Sequence, residues 1–71
     1  MNSIASERKR AGITQAQLAE KIGVDEKTIS RWERDDSSIP SRKACEMASI
    51  FKCSIDYLFG LTDERTVKGG D

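Results

Sequence analysis

The sequence predicts an all-α fold, and two observations lead to this prediction. Apolar residues recur at helical spacing, and no segment alternates between apolar and polar residues for long enough to form a strand. Glycines at positions 12, 23 and 60 stand where helices are expected to end, and glycine suits the left-handed backbone found there. Because 71 residues are enough for one domain with a small core, the predicted architecture is a compact bundle of five helices.

Four of the helix starts are predicted from residues of N-cap type. Each is flanked by apolar residues at the two positions that form a hydrophobic staple. These N-cap residues are Thr14, Asp25, Ser41 and Ser54. Thr14 also has Gln17 three residues later, the spacing of a capping box. The predicted helices span residues 3–11, 15–22, 26–34, 42–51 and 55–59.

One apolar core is expected between these helices. Apolar residues share one face in the second and in the fourth helix, and both cysteines are expected to be small core residues. The expected core contains Ile4, Leu18, Ala19, Ile22, Ile29, Trp32, Ala44, Cys45, Ala48, Phe51, Cys53, Ile55 and Leu58. Residues 62–71 lack periodicity and are predicted to be a flexible tail or linker stub after a domain over residues 1–61.

The composition argues against several classes of protein. The chain has no histidine, which removes His-based acid–base catalysis and Cys/His zinc sites, and two cysteines are too few for a four-thiolate metal site. It has no nucleophile–base pair and no glycine-rich phosphate loop, so we expect no enzyme activity, cofactor, metal or small-molecule substrate. No apolar run approaches the roughly 20 residues of a membrane span, and the N-terminus is too polar for a signal peptide. A cytoplasmic location without membrane contact is therefore expected.

The third predicted helix has one apolar and one polar side. At about 100° per residue, Ile29 and Trp32 fall on the side that faces the core. The opposite side carries only polar residues: Glu26, Lys27, Ser30, Arg31 and Arg34. Such a side is usually a solvated surface, but a short helix precedes it across a tight turn at Gly23 and Val24, which forms the helix-turn-helix unit that enters the DNA major groove. Because Lys plus Arg (12) equals Asp plus Glu (12), the positive charge for DNA binding must be concentrated on one face.

Two segments resemble one known family. The segment ITQAQLAEKIGVDEKTISRWE resembles the core of the Cro/phage-repressor-like (xenobiotic-response-element) helix-turn-helix family, and SIDYLFG resembles its fifth helix. With Arg8 and Gly12, the resemblance covers residues 2–61. It implies a lambda-repressor-like domain with the helix-turn-helix at helices 2 and 3. It also implies a sequence-specific transcriptional regulator that binds double-stranded DNA, commonly as a homodimer on a palindromic operator.

The resemblance further implies base contacts from the third helix, by Glu26, Lys27, Thr28, Ser30 and Arg31. Arg31 has the geometry to pair bidentately with guanine, and Lys27 can contact guanine or a phosphate. Glu26 has two interpretations of equal weight, because it can accept a hydrogen bond from cytosine or simply stabilise the helix dipole.

Phosphate contacts are implied at the start of the second helix and in the loop after the third. The residues concerned are Gln15, Arg34, Ser37, Ser38, Ser41, Arg42 and Lys43. Gln15 is alternatively an ordinary first-turn residue, and Arg42 alternatively reaches the minor groove. Two acids in the same loop, Asp35 and Asp36, oppose tight DNA binding. Lys52 also departs from the family, which usually has a glycine where the fourth helix ends.

Two further sets of residues follow from the resemblance. Arg8 and Glu33 match a family salt bridge between the first and third helices. Tyr57, Phe59 and Leu61 are the expected dimer interface, although Phe59 alternatively caps the core. The competing function is a protein-interaction module of the same fold, an antirepressor or modulator that binds another repressor. Neutral net charge and the acidic residues noted above favour that alternative.

Overall fold

The computed structural model describes residues 2–66, which form five α-helices and no strand. They are α1 (Ile4–Arg10), α2 (Gln15–Ile22), α3 (Glu26–Arg34), α4 (Ser41–Phe51) and α5 (Ile55–Leu58). Each helix end lies within one residue of its predicted position, and the all-α prediction is confirmed. No helix in this part of the chain has the length and apolar composition needed to cross a membrane.

Side-chain caps begin three of the helices. Thr14 Oγ1 accepts a hydrogen bond from the Gln17 N–H at 3.0 Å, and Gln17 Oε1 accepts one from the Thr14 N–H at 2.8 Å, which completes the predicted capping box. Asp25 caps α3 and Ser54 caps α5 in the same manner. The prediction that Ser41 caps α4 is wrong. The carbonyl of Pro40 accepts the first helical hydrogen bond, and the helix therefore begins one residue earlier than predicted.

The core contains eleven buried apolar side chains from all five helices: Ile4, Leu18, Ala19, Ile22, Ile29, Trp32, Ala44, Met47, Ala48, Phe51 and Leu58. Met47 is fully buried although it was not predicted, whereas Cys45 is exposed. The buried face of α4 runs through positions 44, 47, 48 and 51, so Cys45 lies off it. Ile55 is also exposed, because the four-residue α5 presents Leu58 to the core instead. Cys53 is half-buried and packs against the core.

The end of α4 is formed by a residue in the left-handed conformation. Lys52 has φ 56° and ψ 45°, the backbone geometry that glycine adopts without strain. The next N–H, that of Cys53, donates to the carbonyl of Ala48 at 3.1 Å and so closes the last turn. The chain therefore accommodates lysine instead of the usual glycine by adopting a strained backbone at this one residue, and α4 ends where the sequence predicts.

An ion pair between a buried carboxylate and a partly exposed arginine fastens part of the segment after α5 to the domain. Glu7 in α1 is 3% exposed, and its carboxylate lies 2.7 Å from Nη2 of Arg65. Arg65 belongs to the predicted tail, of which residues 67–71 lie outside the described part of the chain. The division into residues 1–61 and 62–71 stays a prediction.

Candidate nucleic-acid interface

A tight turn sets α3 across α2. Gly23 has φ 73°, a conformation that only glycine adopts without cost, and the Val24 N–H closes the turn on the carbonyl of Ala19 at 3.0 Å. Asp25 then caps α3, because its carboxylate oxygen accepts a hydrogen bond from the backbone N–H of Lys27 at 2.7 Å. Buried residues of both helices meet beneath the turn. The orientation of α3 is therefore fixed by its packing and by its first turn.

The two sides of α3 differ as predicted. Ile29 is fully buried and Trp32 is 3% exposed, and the indole Nε1 of Trp32 has no hydrogen-bond acceptor within residues 2–66. The opposite side carries Glu26, Lys27, Arg31 and Arg34, all exposed, and the half-buried Ser30, while Thr28, also half-buried, lies at its border with the buried side. None of the four exposed side chains makes a hydrogen bond or an ion pair within residues 2–66. Their donors and acceptors are therefore available to a ligand that lies along α3.

Glu33 connects α3 to two other helices. One carboxylate oxygen accepts from Arg8 Nε at 2.8 Å, and the other accepts from Gln15 Nε2 at 2.8 Å. Arg8 also donates to the carbonyl of Ile13 at 3.0 Å, and the side chains of Arg8 and Glu33 are 13% and 10% exposed. The structure thus brings together the predicted Arg8–Glu33 pair and adds Gln15 to it. This network holds the side chain of Gln15, the first residue of α2, against Glu33 of α3.

The residues predicted to contact phosphates divide into two groups. Arg34, Ser37, Ser38, Ser41 and Arg42 are exposed on the loop and the first turn of α4. Lys43 instead donates to the carbonyl of Ile22 at the end of α2, at 2.5 Å, and lies 3.4 Å from Glu46 Oε1. A lysine is stabilised there because the last carbonyls of a helix are unpaired and carry partial negative charge. A phosphate contact by Lys43 would compete with this cap.

The two acids of the loop take part in its folding. Asp35 Oδ1 accepts from the Ser37 N–H at 3.1 Å, and this hydrogen bond holds the pKa of the Asp35 carboxyl below its ordinary value. Asp36 Oδ2 accepts from Asn2 Nδ2 at 3.1 Å, and Asn2 also donates to the carbonyl of Trp32 at 2.9 Å. The carboxylates therefore order the loop. Asp35 keeps its negative charge at neutral pH, next to the predicted phosphate contacts.

Sequence reasoning missed the role of Asn2. Its Oδ1 accepts from the Ile4 N–H at 3.0 Å, so one side chain begins α1 while its amide nitrogen satisfies a carbonyl in the last turn of α3. The available signal was an N-cap residue type two positions before the first apolar residue. The partners lie 30 and 34 residues away, and no local pattern indicates them.

The predicted dimer residues lie in α5 and directly after it. Leu61 is 74% exposed, and Tyr57 and Phe59 are half-buried. Ile55, within α5, is a second exposed apolar side chain in this region. Both cysteines are free, and no group of three or more His, Cys, Asp or Glu side chains in the described part of the chain is arranged to hold a metal ion.

Comparison with known proteins gives consistent matches. A helix-turn-helix family model matches residues 4–58. The HTH-type transcriptional regulator YobD of Bacillus subtilis is 37% identical over 61 residues, which cover 86% of this chain and 54% of YobD. Repressor protein C2 of Salmonella phage P22 is 34% identical over 55 residues, or 78% of this chain and 26% of the repressor. The Bacillus subtilis regulator ImmR is 32% identical over 53 residues, or 75% of this chain and 42% of ImmR. The chain thus spans about half the length of YobD and less of the other two.

Proposed function

This chain belongs to the Cro/C1-type helix-turn-helix family, and from that membership we propose that it is a sequence-specific DNA-binding transcriptional regulator that inserts α3 into the major groove. The relatives named as a repressor and as transcriptional regulators support the same function. The proposal also includes base contacts from Glu26, Lys27, Thr28, Ser30 and Arg31.

The observation that carries the proposal is the exposed side of α3. Lys27, Arg31 and Arg34 extend from it with every side-chain donor unused, while the buried side of the same helix is fixed to the core. A rigid helix with free guanidinium and ammonium groups on one side matches the donors and acceptors along a base edge and the adjacent phosphates. We propose that Gln15, whose side chain is held by Glu33 at the start of α2, contacts a phosphate and so fixes the register of α3 on the DNA backbone.

We further propose that two copies bind a palindromic operator. Tyr57, Phe59 and Leu61 would form the contact between the copies, and Leu61 supplies the largest exposed apolar surface among them. A symmetric dimer reads two half-sites about one helical turn apart, roughly 34–36 Å. Doubling the contacts also offsets the weak overall charge of a chain whose formal net charge is zero.

A second candidate function is supported by the acidic residues. Glu26 is exposed in the first turn of α3, and the charged Asp35 follows the last turn. These carboxylates repel phosphate and would suit a basic surface of another repressor. A module that binds such a protein through α3 therefore remains the alternative proposal.

Selection from a pool of random duplexes separates the two proposals. The protein is titrated at low and at physiological salt by fluorescence anisotropy, and the bound fraction is sequenced. An enriched motif with two inverted halves supports the dimeric operator-binding regulator and gives the half-site spacing. Binding that disappears with salt and enriches no sequence would refute it, because only nonspecific attraction to phosphate would be left. The repressor-binding alternative would then be pursued.

A further inference from the structure

A cavity of about 210 Å³ lies between the ends of α1 and α4 and the segment after α5. Its charged lining consists of three cations and one carboxylate, which are Arg10, Lys52, Arg65 and Glu7. None of its lining residues belongs to α2, to α3 or to the loop between α3 and α4, so the cavity uses none of the proposed DNA contacts. It has the volume of roughly seven water molecules, at about 30 Å³ each in the liquid.

The guanidinium of Arg65 is held along one edge and free along the other. Nε lies 3.1 and 3.0 Å from the two carboxylate oxygens of Glu7, and Nη2 donates to Glu7 Oε1 and to the carbonyl of Phe51, each at 2.7 Å. Nη1 makes no hydrogen bond within residues 2–66, and it is accessible to solvent. Because the Glu7 side chain is 4% exposed and needs this cation, the guanidinium is fixed at the cavity with the Nη1 donors unused.

Arg10 and Lys52 add two cations that the described fold leaves unpaired. Both residues are exposed, and neither side chain makes a hydrogen bond or an ion pair within residues 2–66. Lys52 also occupies the left-handed position at the end of α4, where glycine would be free of strain. The fold therefore does not require a lysine there, although its ammonium group lies at the cavity.

Positive charge dominates the lining. Glu7 offsets one of the three cations, which leaves a net charge of two positive. Unpaired carbonyls at the ends of α1 and α4 would oppose an anion. In this structure the carbonyls of residues 7–9 accept hydrogen bonds from the N–H groups of residues 11–13, and that of Phe51 accepts from Arg65. The remaining lining is apolar and comes from Ala11, Ile50 and Phe51.

We propose that this cavity binds a small phosphate monoester: Arg65 and Arg10 pair with the phosphate oxygens, Lys52 adds its charge, and the apolar lining contacts the organic part. A phosphate monoester carries a charge of about −1.5 to −2 at neutral pH and so matches the net charge of the lining, whereas each phosphodiester of DNA carries only about one. Guanidinium groups suit this ligand because their planar N–H donors match phosphate oxygens in pairs. The site does not depend on the proposed binding of α3 to DNA.

The test uses phenyl phosphate as the probe and the full chain. It is titrated at about pH 7.5 and constant ionic strength, and NMR follows the backbone amides of Arg10, Lys52 and Arg65, with the amides of α3 as reference. Lys52→Gly removes one cation and relieves the strained backbone, so weaker binding by this variant does not reflect a weaker fold. Lys9→Gln is the matched control, because Lys9 is an exposed cation in the last turn of α1 that does not line this cavity.

Saturable shifts of the cavity amides are expected. Lys52→Gly should weaken the affinity about fivefold, and Lys9→Gln should change it less than about twofold, because only Lys52 lies beside the ligand. Methyl phenyl phosphate, a diester with a single negative charge, should bind the unaltered chain about fivefold more weakly than phenyl phosphate.

Three results would overturn the proposal. Shifts that never saturate, or equal weakening by Lys52→Gly and Lys9→Gln, would mean that the probe is attracted to positive charge in general. Unchanged affinity of Lys52→Gly would remove the lysine, and with it the charge match, from the site. Displacement of phenyl phosphate by a DNA duplex would show that the cavity receives the DNA backbone and not a small molecule.

Discussion

Arg31 and Arg34 extend from the same exposed side of α3, but they are proposed to contact different parts of the operator. Arg31→Ala should relax the preference for one base of the selected motif and cost about 1–3 kcal/mol on the cognate duplex, because bidentate contact with guanine is lost. Arg34→Ala is the matched control. It should weaken binding to every duplex about equally and reduce the slope of log affinity against log salt concentration by about one released counterion. Anisotropy titrations on cognate and altered duplexes measure both effects, and unchanged discrimination by Arg31→Ala would contradict its role.

The two cysteines differ in exposure and in chemistry. Cys45 is exposed on α4, whereas partial burial raises the pKa of the Cys53 thiol, with the carboxylate of Glu7 adding to the effect. Folding therefore lowers the thiolate fraction of Cys53. Because the folded chain holds this proton more tightly, the free energy of unfolding should fall as the pH rises through the range in which thiols ionise. Iodoacetamide near pH 8 should alkylate Cys45 first, as mass spectrometry of the peptides would record. In urea, where burial is lost, the two rates should converge; faster reaction of Cys53 in the folded chain would refute this assignment.

At the scale of the element, the end of α4 is a site where one substitution should stabilise the chain. Lys52→Gly places glycine in the left-handed conformation and removes a backbone strain of roughly 1 kcal/mol, partly offset by the greater freedom of glycine in the unfolded chain. The expected result is a gain of up to about 1 kcal/mol in the free energy of unfolding, measured with urea.

The control for that substitution is Ser49→Gly, an exposed position within the same helix. Glycine at an ordinary helical position should destabilise the chain by a few tenths of a kcal/mol to about 1 kcal/mol. Destabilisation by both glycines would show that the backbone of Lys52 is not strained.

Helix ends were predictable because their signals are local. Thr14 and Gln17 specify the start of α2, and Gly23 and Asp25 specify the end of α2 and the start of α3. Each signal lies within four residues of the next, and the structure contains the corresponding cap hydrogen bonds. The face of α4 was harder to assign, because adjacent positions on a helix differ by about 100°. The sequence favours Cys45 as a core residue, whereas the structure buries Met47 and exposes Cys45.

At the scale of the whole molecule, contacts between distant residues could not be predicted. Glu7 and Arg65 are 58 positions apart, and Asn2 and Asp36 are 34 apart. Neither pair belongs to a periodic pattern or a motif. The polar side of α3 was predicted because a helical wheel needs only the sequence, whereas the cap that Lys43 forms on α2 required the packing of α4 against α2.

The Glu7–Arg65 pair also predicts where the chain can be shortened. A protein ending at residue 61 would leave the Glu7 carboxylate buried without its cation, and its free energy of unfolding should fall. The same truncation with Glu7→Leu should recover most of the loss, since no charge is then buried. Urea unfolding of both, beside a chain ending at residue 66, gives the comparison. Equal stability of the chains ending at 61 and 66 would mean that the pair contributes nothing.

The single tryptophan of the chain lies in α3, buried against the core, and its indole N–H has no acceptor among residues 2–66. All tryptophan emission therefore originates from the element proposed to enter the groove, and an indole in dry apolar surroundings emits at shorter wavelength than one in water. The protein thus carries a built-in optical reporter. Without any label, a red shift of the emission on warming would report that α3 no longer packs on the core. A change in emission intensity on adding duplex would report the rate of DNA binding.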